Sequence, residues 1–166
     1  MEGEHALKVY QMNRKQLLHV SLDDAWSFFA DPNNLQKLTP PKMRIEMIDK
    51  HSSELYAGMI ATYKIRPIFN IPITWVTEVT QVLPKEYFID EQRFGPFKFW
   101  HHEHRFKQTD EGVEMTDLVH YAMPFSIIGK FVHAQVVRPK LQAMFAYRQK
   151  QLRFLLPNEQ QCENQY

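Results

Sequence analysis

The sequence predicts an α+β domain: seven antiparallel strands forming a sheet, with a long C-terminal helix laid across its concave face. Three observations carry this. Strand-like segments follow one another from residue 43 to residue 121 with few residues between them, and such short connections join antiparallel neighbours. Helical signals interrupt the strands only once, just after the first of them. Beyond Pro124 the apolar periodicity changes from that of a strand to that of a helix.

Residues 9–20 mix apolar and basic side chains in loose alternation and read as a first strand near a sheet edge. Ser21 then offers a hydroxyl to the first turn of a helix, and Asp23 and Asp24 suit the positive end of its dipole. Trp26, Phe28 and Phe29 supply its buried side, and Asp31-Pro32 stops it. One more helical turn fits residues 34–38 before Thr39-Pro40-Pro41 forces the chain extended. Six strands are expected over 43–50, 59–66, 74–83, 87–94, 99–107 and 113–121, punctuated by Gly58, Pro67 with Pro72, Pro84, Gly95-Pro96 and Asp110-Glu111-Gly112. The apolar stretch from Pro67 to Pro72 reads either as a packed loop or as a lip over a pocket mouth. Residues 128–155 read as one helix whose stripe holds Val132, Val136, Ala143 and Tyr147, with Val137, Leu141, Met144, Phe145 and Leu152 beside them. Pro139 falls inside it and should kink it. Residues 1–156 are expected to form a single domain and 157–166 a polar, frayed tail.

The informative stretch is Asp90 to Phe106, a hairpin about Gly95-Pro96. Along its second run Trp100, His102, His104 and Phe106 share the inward face, so two imidazoles stand where a packing sheet would place Val or Ile. A tight turn sets Asp90 opposite His102 and Gln92 opposite Trp100. If Phe106 pairs with Val113 around the next turn, His102 also faces Asp117. One face would then hold Asp90, His102 and Asp117, ringed by Phe88, Trp100, Val119 and Tyr121, as the wall of a polar-spotted cavity. Two carboxylates flanking an imidazole can fix strand register, orient a ligand carbonyl or hydroxyl, or move a proton. His102, Asp90 and Asp117 are therefore the candidates for any acid/base role. His104 at i+2 and Gln92 complete the inward set, and Arg148 is either a surface arginine or a partner for Asp90, Asp117 or an acidic ligand.

Composition narrows the alternatives. Twenty Lys and Arg against 19 Asp and Glu leave a net charge of +1, with no basic excess for nucleic acid. The single cysteine, Cys162, supports neither an internal disulfide nor a cysteine metal site, which fits a cytoplasmic protein. No run approaches the roughly 20 apolar residues of a spanning helix. His102-x-His104 has a spacing that could serve a metal, but no further histidine matches it on a neighbouring strand, so no metal is expected. The five glycines form no phosphate-cradling loop, no serine sits in a nucleophile elbow, and no cofactor is expected.

The element order resembles the START-like helix-grip (SRPBCC) superfamily. The text SLDDAWSFFADPNNLQKLTPP, then WVTEVTQVLPKEYFIDEQRFGPFKFWHHEHRF, VEMTDLVHYAMP and MFAYR is similar to its bacterial polyketide cyclase/dehydrase and lipid-transport-like branch. The resemblance runs from about Tyr10 to Phe154. It implies a strongly curved sheet gripping the last helix around a cavity, and it carries no catalytic residue over. The expected function is binding of a small, mostly apolar ligand of lipid, polyketide or aromatic type. The alternatives are a cofactor-free cyclase, dehydratase or hydrolase using His102 with Asp90 or Asp117, and a docking module acting through the Pro67 to Pro72 loop. Ligand contacts are expected from Phe88, Asp90, Gln92, Trp100, His102, His104, Asp117, Val119, Tyr121 and Arg148.

Overall fold

The computed structural model describes residues 7–49, 54–67, 70–124 and 133–156. Strand β1 (Val9–Leu18) leads through Ser21 into helix α1 (Leu22–Ala30), whose first turn is capped by the Ser21 hydroxyl accepting the Asp24 N–H at 3.1 Å. Asp31 ends α1 and caps a 3₁₀ turn (Pro32–Gln36), its carboxylate accepting the Asn33 N–H at 2.9 Å. The strands that follow are β2 (Glu46–Met47), β3 (Ile60–Ile65), β4 (Ile73–Leu83), β5 (Tyr87–Phe94), β6 (Phe99–Thr109) and β7 (Gly112–Ala122). A π-helical turn (His133–Val137) then runs into α2 (Arg138–Leu155). All seven strands form one antiparallel sheet in the order β1-β7-β6-β5-β4-β3-β2, a six-strand meander closed by β1 beside β7. Irregularities in β4 between Val76 and Thr77 and between Val79 and Gln81 bend it, as bulges do. The resulting concavity holds α2.

Three expectations need correction. Only Glu46–Met47 of the strand expected over 43–50 joins the sheet, because Pro41–Met43 forms a 3₁₀ turn and Arg44 has a φ of 44°, breaking the extended run. Pro139 does not interrupt the helix. It stands in the first turn of α2, where its missing N–H costs no intrahelical bond, and the irregularity appears before it as the π-helical turn. In the predicted stripe, Ala143 is exposed and Val136 and Tyr147 are only half-buried, while Val137, Leu141, Met144, Phe145, Arg148 and Leu152 face inward. Val132, the segment 125–132, Ile68 and Phe69 of the Pro67 to Pro72 loop, and the tail lie outside the described residues.

Three apolar clusters form the core among the described residues, one of them Ile45, Ala61, Tyr63 and Ile65 around β3, and the other two flank the ionic groups between sheet and helix. One gathers Leu18, Ala25, Phe29, Phe88, Phe106, Val113, Met115 and Leu152 beneath α1. The other gathers Trp100, Val119, Tyr121, Val137, Leu141, Met144 and Phe145. Full burial of a side chain such as Leu152 stabilises by about 1.5–3 kcal/mol. Between the clusters a polar belt crosses both layers: His102 and His104 lie between Trp100 and Phe106 on β6, and Arg148 lies between Phe145 and Leu152 on α2. Gly112, at the turn into β7, has a φ of 132° and lets β1 approach closely, because a Cβ there would collide with the Leu18 carbonyl oxygen. No helix among the described residues is long and apolar enough to cross a membrane.

Candidate functional site

The β5–β6 hairpin places Asp90 opposite His102, as the alternation requires. The next turn is centred one residue later than expected. Thr109 pairs with Gly112 about Asp110-Glu111, so Phe106 pairs with Met115, and His104, not His102, lies opposite Asp117. A slip of two residues preserves the face, and His102 still reaches Asp117 diagonally. Arg148 arrives from α2 to complete the group.

Three nitrogens converge on one carboxylate oxygen. Asp117 Oδ1 lies 3.0 Å from His102 Nε2, 3.0 Å from His104 Nδ1 and 3.3 Å from Arg148 Nη1. Of these, the His104 nitrogen is close but misaligned and makes no hydrogen bond. Asp90 Oδ2 is 3.2 Å from His104 Nε2 and 3.4 Å from His102 Nδ1. The two imidazole rings are 3.8 Å apart between centroids. His102, His104, Asp117 and Arg148 are buried, whereas Asp90 keeps 20% of its side chain accessible.

Burial and mutual charge divide the protons. Burial depresses the His102 pKa, and the His104 charge beside it adds to that effect more than Asp117 and Asp90 can offset. Burial also works against a charged His104, but the Asp117 and Asp90 carboxylates beside it outweigh that and raise the pKa above the ordinary imidazole value. Two imidazolium ions at this distance would repel, so a split is the expected arrangement. Burial would raise both carboxyls. Arg148 first, and then the histidines, hold Asp117 well below the usual carboxylate range, and His102 and His104 lower Asp90. With the proton of the pair on His104, His102 Nε2 can donate to Asp117 at 3.0 Å and His104 Nε2 to Asp90 at 3.2 Å. In that state the two carboxylates face two cations, Arg148 and His104.

A cavity of about 120 Å³ opens on this group. Phe88, Asp90, Trp100, His102, His104 and Arg148 line it, all of them residues expected at the site. The other four expected residues are not among its walls. Gln92 ties the hairpin turn by donating to the Phe97 carbonyl at 2.7 Å. Val119 is fully buried in the second apolar cluster, and the Tyr121 hydroxyl is 2.8 Å from His133 Nε2. Asp117 stands behind the histidines and borders a second, smaller recess between β1 and α2. The structure adds walls that sequence reasoning missed: Tyr63 and Ile65 of β3, Trp75 and Thr77 of β4, and Met144 and Phe145 of α2. The strand residues alternate strictly, so their facing was readable; Trp75 was obscured because Val76 beside it is equally apolar.

Asp90, His102 and His104 also present three ligand atoms within 4.8 Å of one another, a spacing that could hold a cation. Their charge argues otherwise. Arg148 and His104 already balance the two carboxylates, and a metal would have to displace the His104 proton.

A curved antiparallel sheet closed over a long helix, with a polar group on the wall of the cavity between them, defines a START-like helix-grip domain. The family profile described as "Polyketide cyclase / dehydrase and lipid transport" matches residues 18–145, and the chain belongs to that family. Solved structures agree on the fold. Ms6760 from Mycobacterium smegmatis is 18% identical over 88% of this chain and 90% of its own, with a TM-score of 0.64. CV1439 from Chromobacterium violaceum is 12% identical over 88% and 96%, with a TM-score of 0.66. The di-domain ARO/CYC StfQ of the steffimycin biosynthetic pathway is 10% identical, with 86% of this chain matching 50% of that one at a TM-score of 0.61. No curated protein matches the sequence.

Proposed function

We propose that the protein binds a small, mostly apolar molecule in the cavity between the sheet and α2. The observation that supports this most is the belt of Asp90, His102, His104 and Arg148 on a wall otherwise made of Phe88, Trp100, Met144, Phe145 and similar groups. Replacing a buried ionic group by apolar residues of similar volume is often neutral or stabilising, so stability alone gives little reason to keep one. The cavity suits a molecule of one ring, since an engineered void of about 150 Å³ takes benzene. A lipid chain or a fused polyketide would require the walls to part. The cytoplasmic reading rests on the lone Cys162.

A second reading is acid/base catalysis, favoured by the opposed pKa shifts of two adjacent imidazoles, one poised to accept a proton and the other to give one. The printed description of StfQ as an ARO/CYC protein, and the cyclase and dehydrase terms in the family description, are compatible with it. Native mass spectrometry of the protein as purified tests the binding reading: a retained small molecule is expected, released by denaturation. Catalysis would show as His104-dependent exchange of α-protons of a bound ketone in deuterated water, and exchange no faster than in buffer would remove that reading.

A further inference from the structure

The polar atoms of the cavity are unevenly satisfied. The histidines engage Asp90, the carboxylate of the ionic end that stands on the wall. Three donors are left without a partner: Trp75 Nε1, Trp100 Nε1 and Arg148 Nε are buried with no hydrogen bond among the described residues, whereas His104 Nδ1 faces Asp117 Oδ1 at 3.0 Å behind the wall. All three residues line the same cavity. They come from three elements, β4, β6 and α2, with the Trp75 and Trp100 rings packed edge to face 5.4 Å apart. A buried donor left unpaired costs about 1–3 kcal/mol, and three around one void favour an acceptor there. The ionised groups at the ionic end are already paired with one another, Asp90 with the histidines and Arg148 with Asp117, so an added ionised group would enter that end without a free counterion.

We propose that the cavity is built for a ligand whose polar atoms are uncharged hydrogen-bond acceptors, a carbonyl oxygen foremost, carried on an apolar body of about one ring. This rests on the binding reading above and adds the chemistry of the ligand to it. The indole N–H groups serve an acceptor at the Trp75/Trp100 end, and Arg148 Nε serves one at the ionic end.

Four probes of nearly equal size separate the possibilities: acetophenone, α-methylstyrene, benzoate and α-methylbenzylamine. Each is titrated into the whole chain, and the three tryptophan indole N–H resonances are followed by NMR. Trp26, which packs on Phe88 and Phe106 outside the cavity wall, is the internal control. Acetophenone should bind about fivefold to thirtyfold more tightly than α-methylstyrene, one or two net hydrogen bonds at about 1 kcal/mol each. It should shift the Trp75 and Trp100 indole signals and leave that of Trp26 in place. Trp100→Phe keeps the ring and removes one donor, so it should weaken acetophenone about threefold to tenfold and leave α-methylstyrene unchanged. Equal affinity for ketone and hydrocarbon, or tightest binding of the amine or the carboxylate, would overturn the acceptor proposal while leaving the cavity a binding site. Failure of all four to bind, in protein that retains no ligand by native mass spectrometry, would overturn the binding reading with it.

Discussion

Two acid–imidazole pairs stand side by side on one hairpin and face opposite ways. Glu91 and His101 meet across β5 and β6 on the convex side, with Oε1 and Nδ1 2.9 Å apart and both side chains more than a quarter exposed. Asp90 and His102, one position along each strand, meet on the concave side at 3.4 Å under α2. The outer pair has the shorter contact, yet the inner one carries the chemistry. Water screens the outer charges and can replace either partner. On the inner side the dielectric is low, each proton alters the next group, and neighbouring imidazoles take opposite protonation states. Burial, which alternates along a strand with each residue, decides what the same two functional groups can do.

The largest break in that comparison comes from α2. Arg148→Met keeps much of the side-chain volume but removes the cation facing Asp117, leaving a buried carboxylate with less compensation. A loss of about 3–5 kcal/mol is expected from denaturant unfolding, and a loss below about 1 kcal/mol would mean Asp117 is hydrated from the recess beside β1. Phe145 covers the same group, its ring 5.8 Å from that of His102 and under the Arg148 guanidinium. Phe145→Ala should cost a similar 3–5 kcal/mol, and a much smaller cost would mean that α2 does not close the concavity.

His102→Phe is the next step down. It keeps an aromatic ring and removes both nitrogens, while Asp117 retains Arg148 and Asp90 retains His104. About 1–3 kcal/mol should be lost, and the rise in melting temperature caused by a retained ligand should shrink as well. A ligand-induced rise equal to that of the wild type would take His102 out of the binding site and leave it a register-fixing residue.

How far the sequence carried the site follows from the periods involved. Side-chain facing has a period of two residues along a strand, so Trp100, His102, His104 and Phe106 could be placed inward without knowing any partner. Pairing depends on where the turn is centred, and centring it one residue before Asp110-Glu111 moved Asp117 from His104 to His102 without changing its face. Ser21 was legible as a cap because the signal is local. Arg148 was legible only as one of two alternatives, a surface arginine or a partner for an acid, because an arginine enters a helix's buried face only when a partner awaits it, and its partner lies 31 residues away on another element. Gln92 and Tyr121 were placed on the cavity wall by alternation alone; their hydrogen bonds to Phe97 and His133 turn them to other work.

The pH dependence of stability sharpens the contrast with smaller effects. His104 has a raised pKa when folded, so its contribution is complete below the ordinary value near 6.5 and is lost as the pH rises through the folded-state pKa. His102 has a lowered one, so its contribution is present above that value and is lost as the pH falls. Asp117 and Asp90, both lowered, stabilise above about 4 and fail in acid. His104→Gln should therefore flatten the loss of stability on the alkaline side, measured as denaturant midpoint against pH, while leaving the acid limb set by the carboxylates. An unchanged alkaline side would show that His104 is not the proton carrier of the pair.

The smallest effect belongs to the outer pair, and its smallness is the point. His101→Asn removes the imidazole that meets Glu91, but Glu91 keeps Arg93, whose Nη1 lies 3.0 Å from its other oxygen. Arg93 is in turn held by Glu78 at 2.5 Å, so the convex face retains its charge chain without the histidine. Exposed pairs of this kind contribute about 0–1 kcal/mol, and the variant should lie near the low end, with the ligand response and the pH profile of the wild type. If His101→Asn instead changed stability or ligand response as much as His102→Phe, facing would not be what separates the two pairs. The convex side of β6 would then have to be treated as part of the functional site.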